Sequence, residues 1–195
     1  MATHRIAPAL AATAVFAALA LGPNVAHATE PSSSSAPRVS ASTHELDVDE
    51  NDREDITYTT PPPEIAPQAT GPEKKAGKCK YKHGGDDPHE TRQEVSGHGW
   101  WVITGGSGCS EKAKVKVKLQ AWGCMDKDVC GWVTQKTGKA RSIAPGQTSK
   151  RANARTACKS SKLVGWRTLV DVDLEWEPDP LGWDALGRED LNCGA

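Results

Sequence analysis

An all-β fold, an antiparallel sandwich or small barrel stapled by disulfides, is what this 195-residue sequence predicts. Three observations predict it. Two long segments alternate apolar and charged residues, shorter β-rich runs lie between turn signals, and six cysteines are confined to the C-terminal part of the chain. Three regions follow: residues 1–28 as a signal peptide, 29–77 as a disordered acidic Pro/Ser-rich linker, and 78–195 as the β-domain.

The first region carries the three zones that export machinery reads. His4 and Arg5 supply positive charge, Ala9 to Leu21 is an apolar run broken only by Thr13, and Ala26-His27-Ala28 gives the small residues of a cleavage site. The run is too short to span a bilayer, which takes about 20 apolar residues. The C-terminal tail has no apolar segment, so no transmembrane anchor is expected. The second region holds no Trp, Phe or Cys and carries ten acids against four bases. Such a composition does not offset the entropy of ordering, which is why it reads as a linker. Its Asp47-Val48-Asp49-Glu50-Asn51 starts like a calcium loop, but Asp52 stands where that loop needs Gly and Tyr58 where it needs Glu.

In the third region, Ala113, Val115, Val117, Leu119 and Ala121 alternate with Lys112, Lys114, Lys116, Lys118 and Gln120. This period of two marks a strand with one face on a core. Trp166 to Glu177 repeats the pattern, with Trp166, Thr168, Val170, Val172, Leu174 and Trp176 on the apolar face. Shorter strands are expected at Gly99–Thr104, Gly131–Thr137 and Lys150–Cys158. Lys112 to Arg167 holds 14 bases and two acids, while Asp171 to Asp190 holds eight acids and one base. A basic stripe invites an anionic partner, but neighbouring strands would set Lys114, Lys116 and Lys118 against Asp171, Asp173 and Glu175. The region as a whole has 19 bases and 15 acids, so cross-strand pairing is preferred and nucleic acid is ranked low as a partner.

The cysteines are Cys79, Cys109, Cys124, Cys130, Cys158 and Cys193. An even number in an exported domain implies disulfides, and no C-x-x-C pair suggests zinc. Six cysteines allow fifteen connectivities, which the sequence does not separate. The arrangement taken as the expectation pairs Cys124 with Cys130 across a short loop, Cys79 with Cys193 to join the domain's ends, and Cys109 with Cys158.

Candidate chemistry is sparse. His83, Asp87 and His89 offer metal ligands in a Gly/Pro-rich loop, though nothing there fixes their geometry and turn formation explains them as well. No cofactor is expected. Trp100, Trp101 and Trp132 are candidate ligand-binding residues, since an exposed indole on a sheet can stack against a sugar ring. Core packing is their other reading, and Trp166 and Trp176 are expected in the core. Gly106-Ser107-Gly108 has the start of a nucleophile turn, but Cys109 replaces its last glycine. Asp171 and Asp173 share a strand face as glycosidase carboxylates can, although plain alternation accounts for them.

His98-Gly99-Trp100-Trp101, Lys114–Trp122 ending in Gly123-Cys124, Arg151-Ala152-Asn153-Ala154-Arg155, and Val164-Gly165-Trp166-Arg167 leading into Val170-Asp171-Val172-Asp173 carry a resemblance. Over roughly residues 79–176 the chain resembles a group of small secreted, disulfide-containing proteins of high-GC Gram-positive bacteria with no assigned activity. The resemblance implies a secreted β-domain and transfers no site. The expected function is therefore non-enzymatic binding of an extracellular or cell-wall partner. The alternatives are a carbohydrate-binding module, a protease inhibitor acting through Met125 to Val129, or a small hydrolase using the His83–His98 region.

Overall fold

The alternation of Lys112–Trp122 needs a second apolar surface to cover its valines, and Trp166–Leu174 provides a neighbour with the same pattern. In the computed structural model, which describes residues 45–48, 50–63, 69–126, 129–146 and 149–195, these two segments lie side by side as antiparallel strands. In chain order the strands are β1 (Thr57–Tyr58), β2 (Lys74–Ala76), β3 (Cys79–Gly85), β4 (His89–Thr91), β5 (Glu94–Gly106), β6 (Ala113–Asp126), β7 (Val129–Thr137), β8 (Arg141–Ile143), β9 (Ala152–Ala157), β10 (Val164–Leu174) and β11 (Asp184–Leu191). One sheet runs β1-β6-β10-β11 with β7 and β8 also on β6; the other runs β2-β3-β5-β4 with β9 on β5. Every strand pair is antiparallel, and the described residues contain no α-helix. The all-β, disulfide-stapled fold is thus as the sequence predicts.

Between the sheets lies an apolar core that includes Val115, Val117 and Leu119 of β6, Trp166, Val170 and Val172 of β10, and Tyr81 and Trp101 from the opposite sheet. Two of the buried indoles find acceptors, Trp101 donating to the Ile143 carbonyl at 3.0 Å and Trp166 to the Cys193 carbonyl at 2.8 Å. On the other face of the β6–β10 ladder the expected charge pairing is present. Lys116 lies opposite Asp171 and Lys114 opposite Asp173, with the Lys116 ammonium 3.6 Å from Asp173. Lys118 instead lies opposite Leu169 and reaches Glu45 at 3.7 Å, because the antiparallel register carries Glu175 to the other end of the lysine row, beside Lys112.

The disulfide expectation is corrected in two of its three bridges. Cys124–Cys130 closes the β6–β7 hairpin as expected, whereas Cys79 is bonded to Cys109 and Cys158 to Cys193. Topology is the reason. Cys79 lies opposite Gly106 at the free end of the β3–β5 ladder, so Cys109 arrives beside it three residues later. Cys158 follows β9 of one sheet and Cys193 follows β11 of the other, so their bridge ties the two sheets together. By the chain-entropy relation, loops of 30 and 35 residues correspond to about 3.5–4 kcal/mol each.

The linker boundary is corrected as well. Ile56 and Tyr58 are buried in the core, β1 pairs with β6, and β2 pairs with β3, so parts of 29–77 belong to the folded unit. A Cβ on Gly123 would collide with Ile56, and one on Gly165 with Pro61, so both glycines leave room for this segment. Arg188 donates to the carbonyls of Pro61 and Pro62, fastening the segment further. The signal peptide at 1–28 lies outside the described residues. No helix among the described residues is long and apolar enough to cross a membrane, and three bonded cystines fit an oxidising, non-cytoplasmic compartment.

Candidate functional site

The connection from β10 to β11, residues 175–183, contains Pro178, Pro180 and Gly182, none of which favours continued strand pairing. β10 accordingly stops at Leu174, and the alternation that predicts a core position for Trp176 ends with it. Trp176 is 96% exposed and Leu181 90% exposed. Trp176 also has φ +75°, a left-handed conformation that is unfavourable for a bulky residue. The core expectation for Trp176 is therefore overturned.

Surrounding contacts hold the loop in this form. The Glu175 amide donates to the Lys112 carbonyl at 3.3 Å, the Ser110 hydroxyl donates to the Glu175 carbonyl, and Ser142 donates to Glu175 Oε1 at 2.5 Å. One Asp179 oxygen accepts from both the Leu174 amide and the Tyr81 hydroxyl, each at 3.2 Å. Burial, with the negative charge of Asp179 next, raises the Tyr81 phenol well above its ordinary value, so it remains a donor across the working pH range. Beside Trp176 opens a cleft of roughly 390 Å³, lined among others by Ser110, Glu111, Lys112 and Glu177. An exposed aromatic face thus adjoins hydroxyl, carboxylate and ammonium groups.

The three tryptophans proposed from sequence do not serve this role. Trp101 and Trp132 are fully buried, and Trp100 is only 8% exposed. Trp101 fills the core. Trp132 meets Trp122 edge-on at 5.3 Å and lies under the guanidinium of Arg167 at 4.5 Å. Trp100 faces outward from β5 but lies against Gly84, where a Cβ would collide with its indole, and Arg151 covers it at 5.1 Å. Tertiary contacts cover these rings and leave Trp176 open. The Pro-Gly-rich sequence around Trp176 was the available signal for an exposed turn.

The proposed metal set is also rearranged. His83 is fully buried, with Nδ1 3.2 Å from the Val170 carbonyl and 3.0 Å from Asp184 Oδ2. Both oxygens thus face the same ring nitrogen. Burial pushes the Asp184 carboxyl up, but the imidazole of His83 and the ammonium of Lys74 at 3.3 Å outweigh it and hold the pKa below the ordinary value. Asp87 accepts from the Arg188 amide. His83 and Asp87 are therefore committed elsewhere, and His89 instead joins Asp86 and His98. Ser96 lies 3.0 Å from His89 Nε2, but the hydroxyl sits on a residue only 1% exposed, which denies a substrate access to it. Asp171 and Asp173 are engaged with the lysine row of β6. Met125 and Val129, flanking the Cys124–Cys130 bridge, are exposed, and residues 127 and 128 between them lie outside the described residues.

Comparison with protein-family models, curated proteins and solved structures finds no match for this chain.

Proposed function

We propose that this chain is a secreted, non-enzymatic binding domain that recognises glycans at or near the cell surface through the Trp176 loop. The observation that carries the reading is Trp176 itself. A left-handed conformation costs about 1–2 kcal/mol for an L-residue, and an indole that is almost wholly exposed recovers none of it through burial. Such a conformation persists because the anchors on Glu175 and Asp179 impose it, and imposed strain of this kind concentrates at binding sites. The flat indole offers an apolar face to the C–H face of a sugar ring. Ser110, Glu111, Lys112 and Glu177 supply donors and acceptors for ring hydroxyls at the same cleft. The signal-peptide pattern and the disulfides support an extracellular setting for this encounter.

A glycan array that includes bacterial cell-wall polysaccharides, followed by calorimetric titration of the best ligand, tests the reading. The expected result is binding by the wild type and a loss of at least tenfold in Trp176→Gly, a variant that fits the left-handed backbone. Absence of any glycan ligand, or equal binding by Trp176→Gly, would overturn it.

A further inference from the structure

On the outer face of the other sheet, we propose that Asp86, His89 and His98 form a binding site for a divalent transition-metal ion of the zinc class. The site is independent of the Trp176 loop. One ligand atom from each of the three side chains lies within 4.8 Å of the others.

The fold brings them together by ordinary strand pairing. His98 is central in β5, and His89 opens β4, whose ladder sets it opposite Ser96, two residues before His98. Both histidines therefore stand on the same face, and their rings stack at 5.2 Å with planes 24° apart. Asp86 directly follows β3 and is locked to His98 by a reciprocal backbone link. Its amide donates to the His98 carbonyl at 3.2 Å, and the His98 amide donates to Asp86 Oδ1 at 2.7 Å. The remaining carboxylate oxygen, Oδ2, lies 2.8 Å from His98 Nδ1.

Orientation of the rings is fixed by further contacts. His89 Nδ1 faces the Asp87 carbonyl at 3.2 Å and its Nε2 faces the Ser96 hydroxyl at 3.0 Å. The Arg151 guanidinium is 3.2 Å from Asp86 Oδ2 and is held over Trp100, so it neutralises the carboxylate in the metal-free protein. Supporting hydrogen bonds of this kind orient metal ligands and tune their basicity.

The donor set decides the class of ion. Two imidazole nitrogens and one carboxylate oxygen suit zinc, copper or nickel, whereas calcium and magnesium require mostly oxygen ligands. Three protein ligands are one short of the tetrahedral four, which leaves a position for water or an external ligand. Asp86 and His98 are half-buried and His89 is exposed, so an ion can reach the site while part of the hydration of two of its ligands is already lost. Arg151 sets the limit on affinity, because an incoming cation must share Asp86 with its positive charge.

Equilibrium titration of the full mature chain with zinc, with magnesium as comparator, tests the site. The expected result is one zinc ion per chain, no magnesium binding at the same concentration, and affinity reduced at least tenfold in both His89→Ala and His98→Ala. Circular dichroism checks that the variants remain folded. X-ray absorption of the zinc-loaded protein should show two imidazoles in the coordination shell at about 2.0–2.1 Å. A second variant, Arg151→Gln, removes the competing charge and should tighten zinc binding. Stoichiometric binding unaffected by both histidine variants, several weak equivalents without imidazole scattering, or no binding at all would overturn the proposal.

Discussion

Trp166 and Trp176 occupy the same alternating face in the sequence, ten residues apart, yet one is fully buried and the other is 96% exposed. Trp166 lies where β10 has neighbours on both sides, opposite Ala121 of β6 and Glu189 of β11, and its indole nitrogen has an acceptor in Cys193. Trp176 lies past the end of both ladders, where prolines prevent further pairing and no opposing sheet covers it. Periodicity therefore decides which way a side chain points, but a partner strand decides whether that direction leads into a core.

The largest expected effect comes from breaking the buried member. Trp166→Ala removes a core indole and leaves the Cys193 carbonyl unpaired, and should cost about 3–5 kcal/mol in a denaturant titration. A loss below about 1 kcal/mol would show that the two tryptophans are less different than their burial implies. Replacing both Cys158 and Cys193 by Ser cuts the bridge beside Trp166, and the chain-entropy relation predicts a loss of about 3.5–4 kcal/mol. Glycan binding at Trp176 should survive in that variant at temperatures where it stays folded. Trp176→Gly sharpens the contrast by changing the sign. Relief of the left-handed conformation should raise stability by about 1 kcal/mol, visible as a higher thermal midpoint, while ligand binding falls.

The smallest effect concerns the charged face between them. Burial and the neighbouring Asp173 charge raise the Asp171 carboxyl above its ordinary value of 3.8, with Lys116 acting in the opposite direction. A raised carboxyl favours the folded state below its unfolded pKa, and that contribution is lost as pH rises through the folded value. Lys116→Met should therefore cost roughly 0.2–1 kcal/mol at pH 7, with the penalty shrinking as pH is lowered through the raised Asp171 value. Equal penalties at pH 7 and pH 4 would show that the Lys116 charge does not act on Asp171.

Other positions extend the lesson of the two tryptophans. The strands β6 and β10, their adjacency and the meeting of their lysines with Asp171 and Asp173 were legible, because alternation and opposite charge are local or pairwise properties. Ile56 and Tyr58 alternate around Thr57 and so carried a strand signal, but ten acids in the surrounding stretch masked it, since composition averages over the few residues that insert. Their place against Gly123 depends on a gap that only the assembled sheets create. The histidine cluster was legible in kind, as imidazoles near carboxylates, and wrong in membership. His83 points inward from β3, while His98, fifteen residues further on, is brought beside Asp86 by the return of β5.

By itself, then, the sequence determined an all-β domain with its long strands, their inward faces, and six cysteines destined for bridges. Tertiary structure alone decided which cysteines meet, which indoles are covered, and which histidine joins the carboxylate. The physical reason is one of range. Side-chain direction follows from the two-residue repeat of a single strand, whereas bonding partners, burial and ligand geometry depend on register between strands far apart in the chain.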